Sequence, residues 1–236
     1  MKTKEELSVI KEEVKTLNAK LALLSEEELE KTLAPYDGFL VPGGFGNRGI
    51  EGKIRAVHYA RTHQKPFFGI CLGMQMAVIE ACRSLLHITD AHSAEFTDTG
   101  TPVIARMEIW EKDGKKCIRP QNGDLGGTMR LGAYPCVLTS GTLASRIYGG
   151  AQQIAERHRH RFEVDKTYTD KLANVGMVLS GVSPDGLLPE IVEIPNHPFF
   201  IGVQFHPEFT SRPGKPNPLF REFIAACLKQ SASDNP

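Results

Sequence analysis

The 236-residue sequence has no excess of either charge, since Lys plus Arg and Asp plus Glu number 28 each. A balanced chain lacks the global field that draws a protein to nucleic acid or to an anionic membrane surface. Long apolar runs are also missing, and none approaches the roughly 20 residues that a bilayer requires. The opening MKTKEELSVIKEEVKTL is charged throughout and has no apolar signal core, so the cytoplasm is the expected location. Five cysteines (Cys71, Cys82, Cys117, Cys136 and Cys227) make an odd set without a C-x-x-C pair. That argues against both a disulfide framework and a thiolate zinc site. The sequence has no Walker-type G-x-x-x-x-G-K-[ST], internal repeat or low-complexity tract. A reducing compartment fits these absences, and in it a single cysteine can be the reactive group.

What is present reads as an ordinary globular chain, 41% hydrophobic and 24% charged, long enough to bury a substantial core. Leu7, Ile10, Val14 and Leu17 recur at helical spacing, which predicts an amphipathic helix over residues 5–18. Lys20 to Leu24 predicts a short strand. Ser25 with Glu28 three residues on has the form of a capping box opening a helix to about Leu33. Gly38 to Pro42 reads as a buried strand, followed by a helix from Gly49 to His63, a strand from Pro66 to Ile70 and a helix from Met74 to Leu86. That rhythm predicts a parallel sheet covered on both faces. The second half is richer in β-strands, with runs at 103–109, 135–139, 161–164, 177–180, 190–194 and 198–205. A terminal helix from Pro218 to Lys229 closes the domain. The expected organisation is a leader over 1–19, one domain over 20–230 and a tail over 231–236.

Two short stretches carry chemistry. Gly69-Ile-Cys-Leu-Gly73 has the G-x-nucleophile-x-G form of a strand-to-helix elbow. Its small flanking residues suit a strained backbone position. The turn exposes the Cys71 sulfur at the carboxyl end of a strand, beside the Leu72 N–H at a helix N-terminus. Val203-Gln-Phe-His-Pro-Glu208 places His206 and Glu208 two residues apart at a strand end, so imidazole and carboxylate can meet on one face. Pro207 favours an extended residue before it and ends the ladder. A Cys–His–Glu triad results, in which the carboxylate holds the histidine tautomer. On its own the elbow is equally compatible with a buried structural thiol, and His-Pro-Glu with a surface turn. The run Arg157-His-Arg-His-Arg161 sits among Glu156, Glu163 and Asp165 and lacks an aromatic stacking series, so nucleic-acid binding is not expected of it. His158 and His160 have no thiolate partner nearby, and no metal site is expected.

PGGFG (42–46), GICLGMQ (69–75) and QFHPEF (204–209) resemble the three active-site segments of the class I, triad-type glutamine amidotransferases. The longer runs LVPGGFGNRGIEGKI (41–54), DLGGTMRLG (124–132), ERHRHRFEV (156–164) and NHPFFIGVQFHPEFTSRP (196–213) resemble the glutaminase domain of the CTP synthases, over roughly residues 20–230. The resemblance implies a flavodoxin-like open, parallel-rich sheet with helices on both faces and added strands in the second half. It implies that Cys71 attacks the side-chain amide of L-glutamine, that His206 acts as base and then acid, and that Glu208 orients His206. The oxyanion hole falls to Gly43 or Gly44 together with Leu72. Glutamine binding falls to Gly44, Phe45, Gln75, Glu95 and Arg161. Glu95 would meet the α-ammonium and Arg161 the α-carboxylate.

The implied partner is a synthetase domain that receives ammonia and uses ATP and Mg to convert UTP to CTP. GTP is the implied allosteric activator, acting through the Gly126–Arg130 loop and the neighbourhood of Phe45. Neither the synthetase domain nor the first strand of the family pattern is visible in this sequence, and the chain alone is not expected to make CTP. Three readings remain: a glutaminase, a non-catalytic or truncated binding module of the same fold, and a γ-glutamyl peptidase. Self-association into a homo-oligomer is left open.

Overall fold

A computed structural model describes residues 20–106, 109–112, 115–118 and 129–234. The predicted helix over 5–18 and the Gly126–Thr128 part of the glycine-rich motif lie outside the described residues, as do positions 107 and 108 of the predicted 103–109 run.

Ser25 caps the first described helix, α1 (Glu26–Leu33), with its hydroxyl accepting from the Glu28 N–H, while the Glu28 carboxylate accepts from the Ser25 N–H. The capping box predicted from sequence is therefore present. The strand predicted just before it is not. Lys20 and Leu21 end a helical turn instead, and the guanidinium of Arg55 donates to the carbonyls of both Leu21 and Leu24, at 2.7 and 2.6 Å. Leu21 is buried with Leu29, Leu33, Ala56 and Tyr59, so a tertiary contact fixes a segment whose local pattern suggested extension.

The chain then alternates through β1 (Phe39–Val41), α2 (Ile50–Thr62), β2 (Phe67–Ile70) and α3 (Leu72–Ser84). Later come β3 (Ala91–Ser93), β4 (Thr101–Arg106), β5 (Ile109–Lys112), β6 (Lys115–Ile118) and β7 (Arg130–Leu138). The remainder is α4 (Leu143–Ile147), β8 (Gln153–His160), β9 (Phe162–Val164), α5 (Thr169–Asn174), β10 (Val178–Val182), β11 (Pro189–Glu193), β12 (Phe200–Val203) and α6 (Pro218–Asp234). The last helix continues through residues expected to form the tail.

Seven strands make the main sheet, in the order β1-β2-β12-β11-β10-β7-β8. β1, β2 and β12 run parallel, whereas every pair from β12–β11 to β7–β8 is antiparallel. β3, β4 and β9 form a second sheet, and β5 and β6 a separate hairpin. Period-two alternation in β2 sends Phe67 into one core and Phe68 and Ile70 into the other. In β12, Phe200 joins the first core and Ile201 and Val203 the second. Helices α2 and α3 cover the first face, and α4 and α6 the second, through Ile54, Val57, Met74 and Val78 on one side and Ala144, Ile147, Leu219 and Phe223 on the other. Three adjacent parallel strands thus end together, and the loops leaving β1, β2 and β12 carry the segments 42–46, 69–75 and 204–209 singled out from the sequence.

Candidate active site

Cys71 follows β2 directly and has φ 51° and ψ −102°, a left-handed conformation that a non-glycine residue seldom adopts. Its N–H donates to the Val203 carbonyl at 2.7 Å, which ties the elbow to the neighbouring strand. The glycines around it are required by close approach. A Cβ at Gly69 would lie 2.6 Å from the Gly73 carbonyl carbon, and one at Gly73 would overlap the Val41 carbonyl oxygen. The elbow can form only while both positions lack side chains.

The thiol is buried, and burial pushes it up to about 12, opposed by the Leu72 backbone N–H and reinforced by the negative charges of Glu208, Glu95 and Glu163. Burial thus favours the protonated thiol at neutral pH, and a nucleophilic role for Cys71 would require a base beside it.

His206 lies three residues beyond the end of β12. The His206 N–H donates to the Arg157 carbonyl at 2.7 Å, so β8 fixes the histidine backbone. Its Nδ1 meets Glu208 Oε1 at 2.6 Å, leaving Nε2 as the free ring nitrogen, buried and without a partner among the described residues. Gly43 lies between histidine and cysteine: a Cβ there would sit 2.7 Å from His206 Cε1 and 3.5 Å from Cys71 Cβ. A Cβ at Gly44 would be 3.2 Å from Leu72 Cδ2. The PGGFG turn, the elbow and the His-Pro-Glu segment therefore converge at one point.

Gly44, Phe45, Cys71, Gln75, Glu95, His160, Arg161 and Phe162 line a cleft of about 30 Å³. Glu95 accepts from the Gly46 N–H at 3.1 Å, which joins its loop to the PGGFG turn. Arg161 buries an Nε that has no partner among the described residues. Phe45 is 57% exposed at the mouth, with the Arg159 guanidinium 5.8 Å from its ring centroid. Gln75 is in the cleft, but its side-chain nitrogen is already engaged. It donates to the Phe162 carbonyl at 2.9 Å and to Gln204 Oε1 at 3.2 Å.

Two parts of the site went unread in the sequence. His160 lines the cleft, and with His158 it belongs to a buried ionic cluster behind it. Arg130 meets Glu190 at 2.5 Å and Glu163 at 3.5 Å, and His160 Nε2 meets Glu163 Oε1 at 2.7 Å. His158 Nε2 is 3.6 Å from Glu190. Burial, followed by the Arg130 charge, depresses His158 well below the ordinary histidine value. For His160 burial again acts downward, and the Glu163 carboxylate only partly offsets it. Burial thus biases both rings toward the neutral form. The period-two alternation of Arg157-His-Arg-His was the available signal, because in β8 it turns the histidines inward and leaves Arg157 and Arg159 exposed. The second unread residue is Gln204, whose amide Nε2 lies 3.6 Å from the Cys71 sulfur.

The family model described as "Glutamine amidotransferase class-I" matches residues 6–226. A CTP synthase of Bradyrhizobium sp. strain BTAi1 is 56% identical over 209 residues, which is 89% of this chain and 38% of that protein. One from Beijerinckia indica is 59% identical over 194 residues, 82% of this chain and 36% of that protein. The chain thus spans well under half the length of these curated relatives. Among solved structures, the glutaminase domain of Trypanosoma brucei CTPS with bound acivicin is 39% identical, with a TM-score of 0.79 over 88% of this chain and 77% of that one. The chain belongs to the class I glutamine amidotransferases and, within them, to the glutaminase domains of the CTP synthase type.

Proposed function

We propose that this chain hydrolyses L-glutamine to glutamate and ammonia through a thioester on Cys71. The convergence of Cys71, His206–Glu208 and Gly43 at one point supports this reading most directly. His206 Nε2 takes the thiol proton as the sulfur attacks the side-chain carbonyl carbon of glutamine. The resulting oxyanion is met by the Leu72 N–H and a backbone N–H of the Gly43-Gly44 turn, donors of a kind whose individual loss costs about 10²–10³-fold in rate. Collapse of the adduct breaks the C–N bond, and His206 returns the proton to the departing nitrogen, which leaves as ammonia. Water then adds to the thioester with His206 as base, and glutamate leaves as the thiol is restored. Glu208 holds the imidazole tautomer and supports its charged form in both halves.

Glu95 binds the α-ammonium of glutamine and Arg161 its α-carboxylate. Ammonia is passed to a synthetase domain for amination of UTP to CTP, as the names of the relatives suggest, and GTP activates the glutaminase step. ATP and Mg serve that partner and not this chain. The place of action is the cytoplasm; among the described residues no helix is long and apolar enough to cross a membrane.

The test is covalent labelling of Cys71 by a glutamine-mimicking alkylator. Peptide mapping should place the label on Cys71, with protection by excess glutamine. A folded protein that is left unlabelled, or is labelled without protection, would contradict the assignment.

A further inference from the structure

We infer that Gln204 is a positioning residue for the nucleophile, its side-chain amide clamped so that an N–H is held against the Cys71 sulfur. The inference rests on Cys71 being the nucleophile, and it assigns work to a residue that the triad leaves idle.

Gln204 is the first residue beyond β12, two residues before His206, and is 0% exposed. Its backbone N–H donates to the Glu190 carbonyl at 2.8 Å, so the main chain is held by β11. The side chain reaches across to the elbow. Gln75 Nε2 donates to Gln204 Oε1 at 3.2 Å and also to the Phe162 carbonyl at 2.9 Å. A carbonyl can only accept, so the Phe162 contact fixes which end of the Gln75 amide is nitrogen. That in turn makes the facing Gln204 atom oxygen and turns the Gln204 nitrogen to the sulfur, 3.6 Å away. The donor direction thus follows from a backbone carbonyl through two amides.

A buried amide is costly unless its polar atoms find partners. An apolar residue would fill the same space without that demand. The physical return is at the sulfur, where a fixed N–H opposes the burial that keeps the thiol protonated and favours the thiolate as His206 removes the proton. The same contact holds the sulfur toward the substrate side of the elbow. Gln75 then acts one step further back, as the anchor of Gln204, which accounts for its engaged nitrogen.

The experiment compares Gln204→Met, similar in length and without a donor, and Gln204→Glu, similar in shape and able to accept from Gln75 but carrying a carboxylate to the sulfur. Thermal melts first establish that each variant is folded. Two readouts follow: the rate of Cys71 alkylation by iodoacetamide at pH 8, by peptide mapping, and kcat and KM for glutamine. Below the thiol pKa the alkylation rate tracks the thiolate fraction, so a loss of about one unit of acidity appears as about a tenfold slower reaction. Gln204→Met should slow alkylation about tenfold and lower kcat with KM unchanged, and Gln204→Glu should slow both further. Alkylation within twofold of wild type in both variants, or a loss confined to KM, overturns the inference. Because alkylation needs no glutamine turnover, slowed labelling in a chain that fails to hydrolyse glutamine would support the role of Gln204 while counting against the proposed reaction.

Discussion

Gly43→Ala isolates the spacing between histidine and cysteine, because alanine keeps the backbone N–H and adds one methyl group. That methyl would sit 2.7 Å from His206 Cε1, and ordinary contact begins near 3.4 Å, so the ring must withdraw by about 0.7 Å or the turn must yield equally. His206 has little room to do so, being held at Nδ1 by Glu208 at 2.6 Å and at its backbone by the Arg157 carbonyl. A misplacement of about 1 Å in a reacting group costs on the order of 10²-fold. Gly43→Ala should therefore lower kcat about 10- to 100-fold with a small change in KM. Gly186→Ala is the comparison: its glycine has φ 69° and nothing within 4 Å of the added methyl. That change should cost about 1 kcal/mol of stability from backbone strain alone and leave kcat intact. The assay is coupled detection of glutamate, with thermal melts alongside. Gly43→Ala turning over within twofold of wild type would refute the crowding argument.

The local geometry of the candidate site was legible wherever the backbone itself demands particular residues. Gly69 and Gly73 announce the elbow because any Cβ there meets backbone, and Pro207 marks the start of the short 3-10 turn Pro207–Phe209 that follows β12. These are local constraints, and they print directly onto sequence. What was missed depends on residues distant in the chain. Lys20–Leu24 has the apolar content of a strand, yet Arg55 captures its carbonyls from more than thirty residues away. Gln204 and Gln75 meet across 129 positions, and nothing in either local pattern predicts that the two amides interlock. The Arg130–Glu163–Glu190 cluster likewise joins three strands that lie far apart in sequence.

Other outcomes follow from the same geometry. Since burial pushes Cys71 up to about 12, its alkylation by iodoacetamide in the free protein should be slow at pH 7 and rise about tenfold per pH unit to pH 9; a plateau below pH 8 would contradict this. Glu80 is 1% exposed and takes two bonds from Arg61, at 2.6 and 2.8 Å, and one contact with His58 at 2.8 Å. Burial alone raises its carboxyl, but His58 and Arg61 outweigh this and hold it below the ordinary value. A carboxyl depressed in the folded state stabilises above its unfolded pKa, and that contribution is lost as pH falls through the folded value. Glu80→Ala should cost about 3 kcal/mol, the low end for breaking a buried pair, and should flatten the acid limb of the stability curve measured by urea titration. Ser25→Ala removes the α1 cap and should cost about 1 kcal/mol in the same titration, without altering turnover.

The account stands on Cys71 as the nucleophile of a glutaminase. The most direct measurement is release of ammonia and glutamate from L-glutamine by this chain and by its Cys71→Ala variant, both shown to be folded. The expected result is turnover by the native chain and none by the variant. Equal release from both would contradict it.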